Sequence, residues 1–191
     1  MSYNSVIRSE DVQAFEKLNE NYDHIKSRQD FMQKVNDYFK ENGRVEGCPG
    51  VEFETLANIH ERMKDNIGLP YPESFFNTNS KTMEMLQSMM NRVADNPETL
   101  FRSWHFKGGE AVVNLANNRL QLMFDEKPTQ ENLTKLKQHG FKWAPKVKAW
   151  QRQLTHKTMA VCDKIDFLKP FDGKKPTDLQ PNPPKRNEPE R

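Results

Sequence analysis

Only two cysteines, Cys48 and Cys162, occur in 191 residues, and no Cys-x-x-Cys spacing joins them. Neither a disulfide framework nor a thiol-ligated zinc site is therefore expected, and a reducing cytoplasm is the natural setting. No apolar run reaches eighteen residues, so no membrane span is expected. Residues 1–8 lack an apolar h-region, so no secretory signal is expected either. Apolar residues make up 35% of the chain against 29% charged. A core built from so little apolar material must be modest and local, which argues against one hydrophobic centre along the whole length.

Signs of chemistry are equally sparse. The five histidines, His24, His60, His105, His139 and His156, show no paired metal-site spacing, and His60-Glu61 lacks the second histidine of a zinc-protease helix. There is no Walker loop, and Gly108-Gly109 reads as a turn and not as a phosphate cradle. Cys48, beside Pro49, reads as a small buried side chain because no base lies near it in sequence. No enzymatic activity, catalytic residue, metal or cofactor is expected.

What the chain does have is a charge asymmetry hidden by its net charge of +2. Residues 10–65 hold 13 acidic and 8 basic side chains. In residues 135–164 the basic side chains are Lys135, Lys137, Lys142, Lys146, Lys148, Arg152, Lys157 and Lys164, and the sole acid is Asp163. A partner at close range responds to that split, although two solvated faces of opposite sign would produce the same pattern.

Hydrophobic periodicity predicts helices in the first half. Ser9 reads as an N-cap, followed by Val12, Phe15, Leu18, Tyr22 and Ile25 at helical spacing. Phe31, Met32, Val35, Tyr38 and Phe39 continue in a second register, so one long helix and two meeting near Ser27 both fit. Residues 43–50 form a turn, and Leu56, Ile59, Met63 and Ile67 mark another helix. Residues 69–80 read as a proline- and asparagine-rich loop exposing Phe75 and Phe76. Met83, Leu86, Met90 and Val93 give one more helix, stopped at Asn96-Pro97.

From Trp104 the period changes to two. Residues 111–116 and 119–124 around Asn117-Asn118 read as a hairpin with a two-residue turn. That turn pairs Leu115 with Leu120, Val113 with Leu122 and Ala111 with Phe124. The opposite face carries Asn114, Arg119 and Gln121. Thr129 caps a short helix ending at Gly140. Residues 141–144 and 149–154 form a second hairpin, and Thr155 caps a last helix. The expected class is α+β: a helical N-terminal region (1–97), a small hairpin-rich β-β-β-α-β-β-α module (98–168), and a disordered proline-rich tail (169–191).

The informative run is residues 139–154, His-Gly-Phe-Lys-Trp-Ala-Pro-Lys-Val-Lys-Ala-Trp-Gln-Arg-Gln-Leu. Closing it as a hairpin over Lys146-Val147 sets Trp143 opposite Trp150 and Phe141 opposite Arg152 on one face. On a structural reading the tryptophans cap a small core. On a functional reading, aromatic rings beside phosphate-neutralising cations form a platform for single-stranded nucleic acid. Both hold if Trp143 lies inside and Trp150 or Phe141 outside. The candidate surface is Phe141, Lys142, Trp143, Lys146, Lys148, Trp150 and Arg152.

The run Asn118-Arg119-Leu120-Gln121-Leu122, then Gly140-Phe141-Lys142-Trp143-Ala144-Pro145, then Ala149-Trp150-Gln151-Arg152-Gln153-Leu154 resembles a module of bacteriophage and conjugative-element proteins. There it often ends large "polyvalent" proteins. Tyr38-Phe39 and Gly47-Cys48-Pro49-Gly50 resemble the helical segment that precedes it, so the likeness spans residues 25–165. The resemblance implies no catalytic residues. It implies a mobile-element accessory protein acting in the cytoplasm of a bacterial host. By analogy with small phage proteins, that context suggests a counter-defence factor such as an anti-CRISPR inhibitor. Its expected partner is nucleic acid or a nucleoprotein effector such as a CRISPR nuclease, engaged by the basic module, the acidic N-terminal helices or Phe75-Phe76. The alternative is a plain single-stranded nucleic-acid-binding module with no inhibitory role.

Overall fold

The computed structural model describes residues 3–64 and 68–183. Ile67 and the end of the expected tail, residues 184–191, lie outside the described residues. The chain forms an α+β fold whose N-terminal helices precede a five-stranded antiparallel sheet. Two compact units divide it, one holding residues 20–85 and the other residues 4–19 and 86–191. These units do not follow the sequence boundary at residue 97, because the first residues and the end of the last long helix group with the sheet.

The first unit is helical. Helix α1 (Ala14–Asn42) is continuous through Ser27. Its buried residues, Ala14, Leu18, Asn21, Ile25, Met32, Val35 and Asn36, fall on one stripe, mostly at three-, four- or seven-residue steps. The expected cap at Ser9 is not used. Ile7 is bonded into the sheet edge, so the chain turns helical only at Ala14, and Asp11 accepts from the Gln13 amide at 2.9 Å instead. Val12 consequently precedes the helix and is 96% exposed.

Helix α2 (Phe53–Lys64) packs through Ile59 into a cluster with Met32, Val35, Val45, Cys48 and Tyr71. Helix α3 (Glu73–Asp95) begins inside the segment expected as a loop. The Thr78 and Thr82 hydroxyls donate to the Ser74 and Thr78 carbonyls, so this polar stretch is compatible with a helix despite its loop-like composition. Phe76 packs against the cluster and Phe75 is 39% exposed. The buried Asn36 amide donates to the Tyr71 carbonyl (2.8 Å) and accepts from its N–H (2.9 Å), fastening the entry to α3 onto α1.

The second unit is built on strands β1 (Trp104–Phe106), β2 (Gly109–Asn114), β3 (Arg119–Phe124), β4 (Lys142–Ala144) and β5 (Ala149–Gln153), in spatial order β1-β2-β3-β5-β4. Between β3 and β4 runs α4 (Gln130–Gln138), and after β5 comes α5 (His156–Cys162). Thr129 and Thr155 cap these two helices as expected. Gly109 sits where an added Cβ would lie 2.3 Å from the Met123 carbonyl, so no other residue fits this close strand approach.

The first long hairpin is shifted by two residues from the expected register. Val113 pairs with Leu120 and Ala111 with Leu122, leaving residues 115–118 as the loop. Only Asn118 takes a left-handed φ, 52°, whereas a type I′ turn needs two such residues. Because the shift is even, the apolar residues keep their face. Leu115 donates to the Ile7 carbonyl and Asn118 accepts from Leu154, so neighbouring segments hold the wider loop.

On the second face of the sheet, Asn114 and Gln121 are packed against other segments and buried, while Arg119 is half-buried. The Asn114 side chain accepts from the Ile7 and Ala116 amides (3.0 and 2.9 Å) and donates to the Ser5 carbonyl and to Gln121 (2.8 and 3.1 Å). Gln121 passes the chain on to Gln151 at 3.3 Å. Arg8 forms a two-pronged ion pair with Glu110, and that hydrogen bond holds the Glu110 carboxyl below the usual carboxylate range. The N-terminal segment thus completes the edge of β2 beyond the end of β1.

Order also reaches beyond residue 168, where a disordered tail is expected from composition. Pro176–Leu179 forms a 3-10 turn with Pro176 buried. Its Thr177 donates twice to the Asp163 carboxylate, and Gln180 bonds both backbone groups of Arg102. These specific side-chain partners offset ordering entropy in a way that composition cannot reveal. Residues 184–191 lie outside the described residues.

Asn114→Ala would leave buried donors on Ile7 and Ala116 unpaired. The expected loss is about 3 kcal/mol, read as a lower urea midpoint at unchanged slope.

Candidate functional site

The surface expected from residues 139–154 is divided by the fold into residues that build the module and residues that face outward. Helix α4 ends in a Schellman stop. Gly140, at φ 76°, donates to the Lys137 carbonyl, and Phe141 donates to the Leu136 carbonyl. Phe141 and Leu136, 2% and 0% exposed, supply the apolar contact that accompanies this motif. Arg152 donates to the carbonyl of His139, the C-cap, and so stabilises the negative end of the helix. Phe141 and Arg152 are therefore structural, and neither is a free contact for a ligand.

Trp143 and Trp150 pair across β4 and β5 as expected. Their centroids lie 5.9 Å apart with the planes tilted by 54°. One ring lies inside and one outside, but the other way round from the arrangement considered: Trp150 is 8% exposed and Trp143 51%. The sheet order explains this, because β5 is interior, bonded to β3 and β4, whereas β4 is the edge strand. Leu122 lies across from Trp150 on the β3 side, while Trp143 has no strand beyond it.

Lys142, Lys146 and Lys148 are exposed, and none makes an ion pair among the described residues. Pro145 opens the turn after β4, with Val147 and Lys148 donating back to the Ala144 and Pro145 carbonyls. Lys148 takes a left-handed φ of 50° to re-enter β5.

Beside the tryptophan pair lies a groove of about 420 Å³, within the range of small-ligand sites. Its walls are Phe124, Pro128, Leu133, Trp143 and Trp150, and its charged lining is Asp125, Glu126, Lys127 and Lys148. The residues from Phe124 to Leu133 are absent from the sequence-based candidate set. Their signal lies in the strand order: placing β5 against β3 brings the end of β3, and the loop that leaves it, to Trp150. Local patterning says nothing of that adjacency. The groove is consequently of mixed charge, whereas the sequence run alone reads as purely basic.

Among the described residues no group of three or more His, Cys, Asp and Glu is placed to hold a metal ion. Burial pushes the Cys162 thiol up to about 12, so it carries negligible thiolate at neutral pH. Also among the described residues, no helix is long and apolar enough to cross a membrane.

Comparison with known proteins adds one match: a family described as "Domain of unknown function (DUF8626)" covers residues 122–167. That span starts in β3, takes in the groove and the Schellman stop, and ends within the turn after α5. No curated protein and no solved structure matches the chain.

The two tryptophans differ in what they stabilise. Trp150→Ala is expected to cost about 3–5 kcal/mol by opening a cavity. Trp143→Ala should cost about 1 kcal/mol, the worth of an exposed aromatic stack. Paired urea denaturation curves check both values.

Proposed function

We propose that the module binds single-stranded nucleic acid, free or within a nucleoprotein complex, with Trp143 as the stacking platform. The observation that carries this reading is a difference among the motif residues. Gly140, Phe141, Ala149, Trp150 and Arg152 stop a helix, fill the core or cap a backbone carbonyl. Trp143 packs on Trp150 from an edge strand and still leaves half of its large ring exposed. A π-face accepts any base, and three unpaired lysines on the same hairpin can replace the counterions of neighbouring phosphates.

The cellular role is a separate proposal. An accessory protein of a phage or conjugative element, and within that class a counter-defence factor acting on an effector such as a CRISPR nuclease, rests on the resemblance to polyvalent-protein modules. Binding to the nucleic-acid component of such an effector is the link between that role and the groove.

Fluorescence anisotropy against single- and double-stranded oligomers tests the binding. With three phosphate contacts on a single strand the salt slope is about −2, so affinity falls about 20-fold between 50 and 200 mM salt. Trp143→Ala is expected to weaken binding by about 1–3 kcal/mol. The triple reversal Lys142→Glu, Lys146→Glu and Lys148→Glu should abolish both the binding and its salt dependence. Salt-insensitive or absent binding by the wild-type protein would contradict the reading.

A further inference from the structure

We infer that the groove beside Trp143 discriminates among bases, favouring those that carry an exocyclic amine over thymine and uracil. The inference rests on the stacking role of Trp143 and deepens it.

A surface built only to hold a polyanion would be lined with cations. This groove is lined by two carboxylates, Asp125 and Glu126, together with two ammonium groups, Lys127 and Lys148, around apolar walls. The carboxylates are exposed residues, and among the described residues neither side chain makes an ion pair or hydrogen bond. Their backbone is nonetheless held in place. The Asp125 backbone amide donates to the Gly108 carbonyl at 3.1 Å, and Thr129 caps α4 a few residues later. Carboxylates so placed repel phosphates, so they oppose general affinity for nucleic acid. They are suited instead to the edge of a base seated against Trp143.

The chemistry of base edges then decides the preference. An ionised carboxylate only accepts hydrogen bonds. Cytosine, adenine and guanine each present an amine that donates, and a carboxylate accepting from cytosine N4 is an established direct-readout contact. Thymine and uracil carry a carbonyl oxygen in place of that amine, so a carboxylate at that position meets a lone pair, and their one donor on this edge is the N3–H flanked by two carbonyls. The unfavourable pairing rejects them, and rejection by an unmatched charge is an efficient source of specificity. Lys127 and Lys148, lining the same groove, are available to the phosphates on either side of the seated base and offset the repulsion there.

Anisotropy titrations of oligo(dC) and oligo(dT), each about 10 nucleotides long, test this at near-neutral pH with the full chain. Wild type is expected to bind oligo(dC) about 10-fold more tightly than oligo(dT). Asp125→Asn with Glu126→Gln should bring that ratio close to one, since a side-chain amide donates as well as accepts. Both positions are exposed, and an unchanged melting temperature would confirm that the variant folds. Equal wild-type affinities, or a ratio that survives the double substitution, would overturn the base preference while leaving the stacking platform intact. Failure to bind either oligomer would overturn the stacking reading and the preference together.

Discussion

The arrangement of the groove depends on how helix α4 stops. Gly140 reverses the chain in a left-handed conformation, and Phe141 anchors the reversal in the core. Strand β4 starts one residue later. The stop therefore sets the register in which β4 meets β5, and side chains alternate faces at every residue. A slip of one position would turn Trp143 to the opposite face and bring Lys142 against Trp150. Arg152 ties the two sides together, because it lies on β5 and donates to the carbonyl that ends α4. The motif that looks most like a binding sequence is thus largely a folding device, and Trp143 is the residue that device presents.

The electrostatics of the site differ from those of the run of sequence that contains it. The charged residues of 135–164 are almost all basic, yet the groove takes three of its four charged residues from the loop after β3, and two of those are carboxylates. Cations supply attraction at long range, where only net charge matters. Carboxylates act at hydrogen-bond distance, where donor and acceptor patterns decide. On the proposed reading, a mixed site of this kind would trade affinity for discrimination among bases.

Much of the fold was legible in the sequence because its signals are local. The order of strands and helices after Trp104, the caps at Thr129 and Thr155, the stop at Gly140 and the Trp143–Trp150 pairing all follow from short-range patterning. The errors lie where distant segments intervene. Ile7 and Leu154 hold the ends of a wider hairpin loop than Asn117-Asn118 suggests, and the same Ile7 contact delays the start of α1. Asn114 and Gln121 lie on a face that patterning leaves as either wet or packed on something else, and they are fully buried in an amide chain that includes Ser5 and Ile7. At the site, Lys142, Trp143, Lys146 and Lys148 stand exposed as the functional reading requires. Phe141, Trp150 and Arg152 do not, because strand order and helix capping decide their burial. Asp125 and Glu126 were invisible, since only the adjacency of β3 and β5 brings them to the tryptophans.

The central claim is that nucleic acid seats on Trp143. The chain's three tryptophans give three indole N–H signals in a nitrogen-15 correlation spectrum, which makes them internal controls for one another. On titration with a single-stranded oligomer, the Trp143 indole and the amides of Lys142, Lys146 and Lys148 should shift together. The Trp104 indole, which donates to the buried Leu168 carbonyl at 2.8 Å, should stay in place. A saturating oligomer that leaves Trp143 unmoved, or that shifts the signals of α1 and α2 instead, would contradict the account.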